Sequence, residues 1–396
     1  MMRLKGIPAI VVALGFVSFL TDVSSDMIYP LLPVFITQHL GGSERFLGLI
    51  EGVAESTAAL VMLFSGILAD RARDRSKLVL AGYGLAGFAR PLTALAWNPW
   101  VVLVVRFTDR IGKGLRTSPR DALIADSVEP EYRGRAFGVQ RSLDNAGAVV
   151  GPLVASLLIG VFLWDLRKVF WAAAIPAFLA IALVLWKVRE VLPLNRALAP
   201  QKFRLKLPQG RLRIYLAILF IFILSCSSDA FLLLRAKDLG VPLALLPIIW
   251  MTLQFVKATS GLPLSALSDR IGRRRVMLAG WTVYTLTYLG FGFATQTWHA
   301  WALFLVYGFF YGFTEGTERA ILADFSEKGE RGQVYGWFYL VVGLGALPAS
   351  LLFGLLWQAF GSAAAFSTSA AISAVAAVLF FIFLRPEAPA RASTGS

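Results

Sequence analysis

Arg120–Gly138 reads RDALIADSVEPEYRGRAFG, and Arg319–Gly336 reads RAILADFSEKGERGQVYG. The two polar segments share an arginine, an L/I-A-D core, a glutamate and a closing R-G, and they lie about 200 residues apart. Two further pairs recur in the same order at similar offsets. SSDMIYPLL at Ser24–Leu32 answers SSDAFLLL at Ser227–Leu234, and GILADRARDRSK at Gly66–Lys77 answers LSALSDRIGRRR at Leu264–Arg275. Apolar helices resemble one another by chance, but chance does not align their polar signatures. The chain is a duplication.

The repeated segments sit between hydrophobic runs. In a chain of 396 residues, 57% are hydrophobic and 16% charged, against about 25% charged in soluble domains, and the mean hydropathy is +0.68. Runs long enough to cross a bilayer, about 20 residues each, fall near 8–38, 47–69, 78–97, 100–127, 136–163 and 169–187. Six more fall near 213–235, 243–268, 276–296, 299–325, 333–358 and 364–384. The fold class expected is all-α integral membrane, with twelve spans in two pseudo-symmetric bundles of six. The bundles are assigned to 1–188 and 212–386, joined by a basic linker at 189–211, with a tail at 387–396. The basic start of MMRLKGIPAIVVALGFVSFL is like a signal peptide, but the apolar run continues through Asp22 and Asp26, so it is read as a retained first helix.

A net charge of +14 would suggest nucleic acid in a soluble protein. Here the cations collect in particular loops. Lys187, Arg189, Arg196, Lys202, Arg204, Lys206, Arg211 and Arg213 crowd the linker beside one acid, Glu190. Arg3 and Lys5, the cluster Arg71–Lys77, Arg133 and Arg135, and Arg270–Arg275 fall on the same side. By the positive-inside rule that side, with both termini, is cytoplasmic. No nucleic-acid partner follows. The expected location is the cell inner membrane, multi-pass, as a monomer in the lipid bilayer. Cys226 is the lone cysteine, so a disulfide framework is ruled out. No phosphate-binding G-x-x-x-x-G-K-[ST] loop and no histidine–carboxylate cluster is present, so neither an enzyme, a cofactor nor a metal site is expected.

The fourth run is anomalous. Trp100–Val128 reads WVVLVVRFTDRIGKGLRTSPRDALIADSV, with Arg106, Arg110, Lys113, Arg116 and Arg120 at steps of four, three, three and four. These positions share about a third of a helix circumference. In lipid each cation costs about 2.5–3.5 kcal/mol even on the lenient insertion scale, so the stripe must face protein, water or an anionic guest. At about 1.5 Å per residue, Arg106, Arg110 and Lys113 are deep, and Arg116 and Arg120 lie nearer the cytoplasm. Asp109 shares the stripe and can pair with Lys113 one turn on.

These features resemble the major facilitator superfamily over essentially the whole chain. The clearest mark is the loop after span two, Gly66, Asp70 and Arg71 followed by basic residues, and its copy Ser268-Asp269-Arg270-Ile271-Gly272-Arg273-Arg274. The copy is nearer the family's G-x-x-x-D-R-x-G-R-[RK] form, with Ser265 or Ala266 near the opening glycine. The first copy lacks the glycine after Arg71. Arg106 with Gly112-Lys113-Gly114 resembles the family's fourth-helix motif in stretched form. Asn145–Pro152, NAGAVVGP, resembles the fifth-helix motif commoner in proton-coupled exporters.

The resemblance implies a secondary active transporter whose site lies near the midplane between rocking halves. On that footing the expected substrate-binding residues are Arg106, Arg110, Lys113, Arg141, Asp144, Lys257, Glu315 and Glu318. Carboxyl groups in a partly dry site can exchange protons near neutrality, and Asp26, Asp229 and Glu55 are the candidates, the first two by repeat symmetry. Gly66, Asp70, Arg71, Asp269, Arg270, Arg120 and Arg319 are expected to form the cytoplasmic gate. Any one of these charges could instead be a structural partner; Glu51, Arg90 and Asp22 offer counter-charges. The solute expected is small, polar and anionic or zwitterionic, a metal chelate included, moved by proton-coupled efflux. The alternatives are a broad drug/proton antiporter and a proton-symport importer of an organic anion. Tyr307, Phe310, Tyr311, Trp337 and Tyr339 could line the cavity, although most membrane aromatics face lipid or core.

Overall fold

The computed structural model describes residues 7–72, 74–188, 207–326 and 331–384, without the side chains of Ile67, Asp70, Arg71, Pro130, Arg331 and Gly332. The linker assigned to 189–211 lies outside this description up to residue 206, as do Arg3, Lys5, Arg73 and the tail at 387–396.

The described residues form twelve helices. In the first half these are α1 (Ala9–His39), α2 (Glu44–Arg71), α3 (Arg75–Leu95), α4 (Pro99–Asp126), α5 (Arg133–Gly160) and α6 (Leu166–Lys187). In the second they are α7 (Gly210–Asp238), α8 (Leu243–Ile271), α9 (Arg273–Phe293), α10 (Thr297–Asp324), α11 (Arg331–Phe360) and α12 (Ser362–Phe383). Ten are both long and apolar enough to cross a membrane. The other two, α4 and α10, are 28 residues each and occupy equivalent places in the repeat. Their polarity is the polarity of the site.

Short polar residues start the helices. Ser43, Asp74, Asn98 and Asp165 each accept a main-chain N–H in the first turn of α2, α3, α4 and α6, at 3.3, 3.1, 3.1 and 2.9 Å, which satisfies donors a helix start leaves open. Pairing inside the two halves repeats: α1 packs on α5, and α2 and α3 on α4, as α7 packs on α11, and α8 and α9 on α10. Gly112 makes the α3–α4 contact tight, since a Cβ there would stand 2.6 Å from the Gly82 carbonyl oxygen. Trp97, Trp100 and Trp298 are exposed near the starts of α4 and α10, as interfacial tryptophans would be.

The halves meet along two seams, α2 with α11 and α5 with α8. The first is closest toward the face away from the linker. There the Gly48 position abuts the Ser350 carbonyl, and a Cβ on Gly354 would come 2.5 Å from the Glu44 carbonyl oxygen. Glu44 begins α2 on that face, and Gly160 at the end of α5 meets Ala244 at the start of α8. The halves thus close on the face opposite the linker.

The first helix of each half is interrupted, but not at matching positions of the repeat. α1 tightens to a 3-10 turn at Tyr29–Leu31 around Pro30, then widens to a π-turn at Phe35–His39; Pro30 cannot donate to the helical ladder. α7 ends its first segment at Ser225 and resumes at Asp229. In the second half the SSD sequence lies at the interruption, whereas in the first Ser24–Asp26 lie inside the helix just before it. Pro119, by contrast, leaves α4 continuous.

Candidate functional site

The cation stripe of α4 is divided by its neighbours. Glu51 and Glu55 stand one turn apart on α2, and they face Arg106 and Arg110, also one turn apart. Arg106 grips Glu51 through Nε and Nη2 at 2.8–3.0 Å, with both side chains buried. Arg110 Nη2 lies 3.2 Å from Glu55. Asp109 does not pair with Lys113: Arg90 on α3 takes it at 2.7 Å and spends a second N–H on the Thr21 carbonyl at 2.9 Å. Arg116 stacks on the Tyr83 ring at 4.4 Å. Arg120 bonds Asp121 at 2.9 Å and Ser18 at 3.3 Å.

Most of the stripe is therefore satisfied by protein. Three polar ends are left over. Arg110 is 7% exposed, yet its Nε has no hydrogen-bond partner. Arg116 Nη1 is likewise buried without one. Lys113 faces the central cavity, and no hydrogen bond or ion pair to its ammonium occurs among the described residues.

That cavity has a volume of about 630 Å³ and is lined by both halves. The first half supplies Asp22, Asp26, Tyr29, Glu55, Arg110, Lys113, Arg141 and Asp144; the second supplies Asp229, Lys257, Glu315 and Glu318 with a wall of rings. Arg106 does not line it. Seven carboxyl groups thus face four cations, where the stripe alone suggested an excess of positive charge. The sequence showed the stripe's cations on one helix, whereas the acids are spread over five.

Several bonds cross between the halves. Arg141 bonds Asp144 at 3.3 Å and reaches Glu315 of the other half at 2.8 Å. Lys257 lies 3.4 Å from the same Glu315, which also accepts from Arg319 at 3.4 Å. Trp250 Nε1 donates to Asp26 at 3.4 Å. Ser228 donates to Glu51 at 3.2 Å and lies 3.4 Å from the Tyr29 hydroxyl. The α7 interruption thereby touches the deepest ion pair of the first half.

Four lining carboxyls have no ion-pair partner among the described residues. Asp26 has Trp250. Asp229 accepts from the Tyr307 and Tyr311 hydroxyls at 2.9 and 2.8 Å. Glu318 has the Tyr215 hydroxyl at 3.4 Å. Asp22 stands near Asp144 of α5 in the cavity wall. Tyr307, Phe310 and Tyr311 line the cavity, together with Phe222, Trp250, Trp281 and Phe338, which the sequence did not single out. Trp337 and Tyr339 are not among the lining residues. Ring positions in an apolar helix carry no signal of their own, so only the charged residues of the same faces could have pointed to them.

The residues expected to form a gate lie toward the linker end of their helices. Asp70 and Arg71 have side chains outside the described set. Asp269 lies 4.0 Å from Arg273, and Arg270 is exposed. Gly66 faces Ser118 of α4. A repeated tie stands out instead: Arg75 pairs with Asp126, and Arg273 with Asp324, each joining the start of a third helix to the end of a fourth.

One cavity lined with charges of both signs from both duplicated six-helix bundles is an arrangement suited to moving a solute between two membrane faces. Comparison with known proteins agrees. The Major Facilitator Superfamily model matches residues 14–256 and 214–396, and the chain belongs to that family. An uncharacterised MFS-type transporter of Methanocaldococcus jannaschii is 34% identical over 355 residues, 87% of each chain. The multidrug resistance protein MdtH of Yersinia pestis is 26% identical over 346 residues, 83% of this chain and 82% of that one. Among solved structures, the nucleoside transporter NupG superposes with a TM-score of 0.74 at 14% identity, over 96% of this chain and 100% of that chain. The human organic anion transporter MFSD10 gives 0.67 at 17%, over 94% and 100%. At these identities the solved structures speak for the fold.

Proposed function

We propose that the protein exports a small polar solute with an anionic group, in exchange for protons, by alternating access. The observation that carries this is the unequal satisfaction of the cavity. Arg110 Nε and Lys113 are donors left without acceptors, and a buried donor without an acceptor costs about 1–3 kcal/mol. Asp22, Asp26, Asp229 and Glu318 are carboxyls without cations. An anionic group would fill the first deficit, and protons the second. Ligands that share one cavity are energetically coupled, and exchange follows where solute and proton displace each other. The family's exporter-like segment at Asn145–Pro152 and the MdtH relative favour efflux.

In this reading Arg110, Lys113, Arg141, Asp144, Lys257, Glu315 and Glu318 meet the solute, with Arg106 acting behind them through Glu51. Asp26, Asp229 and Glu55 carry protons. The protein acts as a monomer in the inner membrane, with linker and termini cytoplasmic, so that the cavity described here is open to the cytoplasm. A drug/proton antiporter is favoured by the ring wall alone; importing an organic anion by symport would need the solute and proton to bind together.

The test is flux into proteoliposomes under an imposed pH gradient. A solute identified by thermal stabilisation of the purified protein should accumulate with the gradient in the wild type. Arg110→Ala and Asp26→Asn should each abolish that flux in folded protein, and Asp26→Asn should remove its pH dependence. Wild-type flux in either variant would sink that residue's assigned role.

A further inference from the structure

The second half supplies a recognition surface of a different kind from the Arg110–Lys113 pole. Asp229 opens the second segment of α7, and its carboxylate is held by two phenols rather than by a cation. Tyr307 lies nearly parallel to Phe310, at 14° with centroids 5.5 Å apart, and Tyr311 stands edge-on to Tyr307. Lys257 already rests its ammonium 4.5 Å from the Tyr311 ring centroid while bonding Glu315. Ring faces around a carboxylate attract cations through the ring quadrupole and suit ammonium groups whose hydrogens are replaced by alkyl. Such groups need fewer acceptors, and both phenol protons here are already committed to Asp229.

We infer that the solute is a zwitterion carrying an alkylated ammonium, with that pole in the Asp229–Tyr307–Phe310–Tyr311 box and its anionic pole at Arg110 and Lys113. This rests on the anionic pole proposed above and adds the opposite one. The assignment also explains the placement of the two poles in different halves. A ligand shifts a rocking equilibrium only by its differential affinity for the two states. A solute anchored at both ends gains contact when the halves close on it, whereas one held by a single half does not.

Three isosteric probes test this on the purified full-length protein: 4-(trimethylammonio)butanoate, 5,5-dimethylhexanoate and butyltrimethylammonium. The first carries both poles, the second only the anion, the third only the cation. The zwitterion should raise the melting midpoint at a concentration about tenfold or more below that of either isostere. Asp229→Asn should remove that advantage while leaving the response to 5,5-dimethylhexanoate, which also shows the variant to be folded. An anion isostere as effective as the zwitterion, an unchanged zwitterion response in Asp229→Asn, or no response to any probe overturns the inference. A cation isostere as effective as the zwitterion overturns the anionic pole and leaves the box standing. Binding without proton-linked flux of the zwitterion in proteoliposomes overturns the exchange reading alone.

Discussion

Glu51–Arg106 and Glu55–Arg110 are two rungs of one ladder with different surroundings. Glu51 is fully buried and bonded on both sides, whereas the Glu55 side chain is 46% exposed toward the cavity. Removing one member of a buried pair strands the other, at about 3–5 kcal/mol; where one partner faces the cavity, as Glu55 does, water can reach the group left behind and the loss is smaller. Glu51→Gln should therefore lower thermal stability strongly, and adding Arg106→Met should restore most of it. Glu55→Gln should lower the melting midpoint less and still lose flux. A melt of the three variants decides it, and equal losses from Glu51→Gln and Glu55→Gln would refute the division. The matched four-residue spacing of the two glutamates and two arginines was visible in the sequence. The pairing was not, because spacing tells which face a charge occupies and not which helix lies against that face. Asp109 shows the point: its local partner Lys113 is one turn away, but Arg90 arrives from α3 with better geometry.

At the level of the helix, the repeat was the readable signal. It matched the SSD sequences of α1 and α7, and it located the polar ends of α4 and α10. It did not reveal the Arg75–Asp126 and Arg273–Asp324 ties, since these arginines stand in basic clusters where no single residue is marked out. The first tie is the more buried, with its arginine side chain 10% exposed against 32% for the second. Arg75→Ala should accordingly lower the melting midpoint more than Arg273→Ala, by roughly 2–3 against under about 1 kcal/mol. The helix starts bear on pH. The Ser76 hydroxyl and N–H hold the Asp74 carboxyl below its ordinary range, and the Lys168 main-chain N–H does the same for Asp165. A carboxyl depressed in the folded state stabilises above its unfolded pKa, about 3.9, and loses that contribution only as pH falls through the lower folded value. Asp74→Asn and Asp165→Asn should thus leave the pH profile of flux unchanged between about pH 6 and 8. A shifted profile would place a titrating group at the membrane surface instead of in the cavity.

At the scale of the whole molecule, the halves pack closely on the face opposite the linker, and Cys226, the chain's single cysteine, lines the cavity between them. A thiol reagent that cannot cross the membrane should label Cys226 from the linker face, and a bound solute should slow the labelling. Labelling only from the opposite face would contradict the closure described. The class of the fold was legible from twelve apolar runs and a repeat. The balance of charge in the cavity was not, because it sums side chains from helices whose mutual arrangement the chain order does not state. The Gly48–Gly354 seam carries a mechanical corollary. Where main chain meets main chain, separation uncovers amides already bonded within their own helices, so parting leaves little unsatisfied and rejoining needs no side chain to find its place. The seam works as a zip fastener. A methyl group at Gly48 is a tooth of the wrong size, and Gly48→Ala should hold the molecule ajar on that side, leaving a transporter that binds from one membrane face and releases slowly.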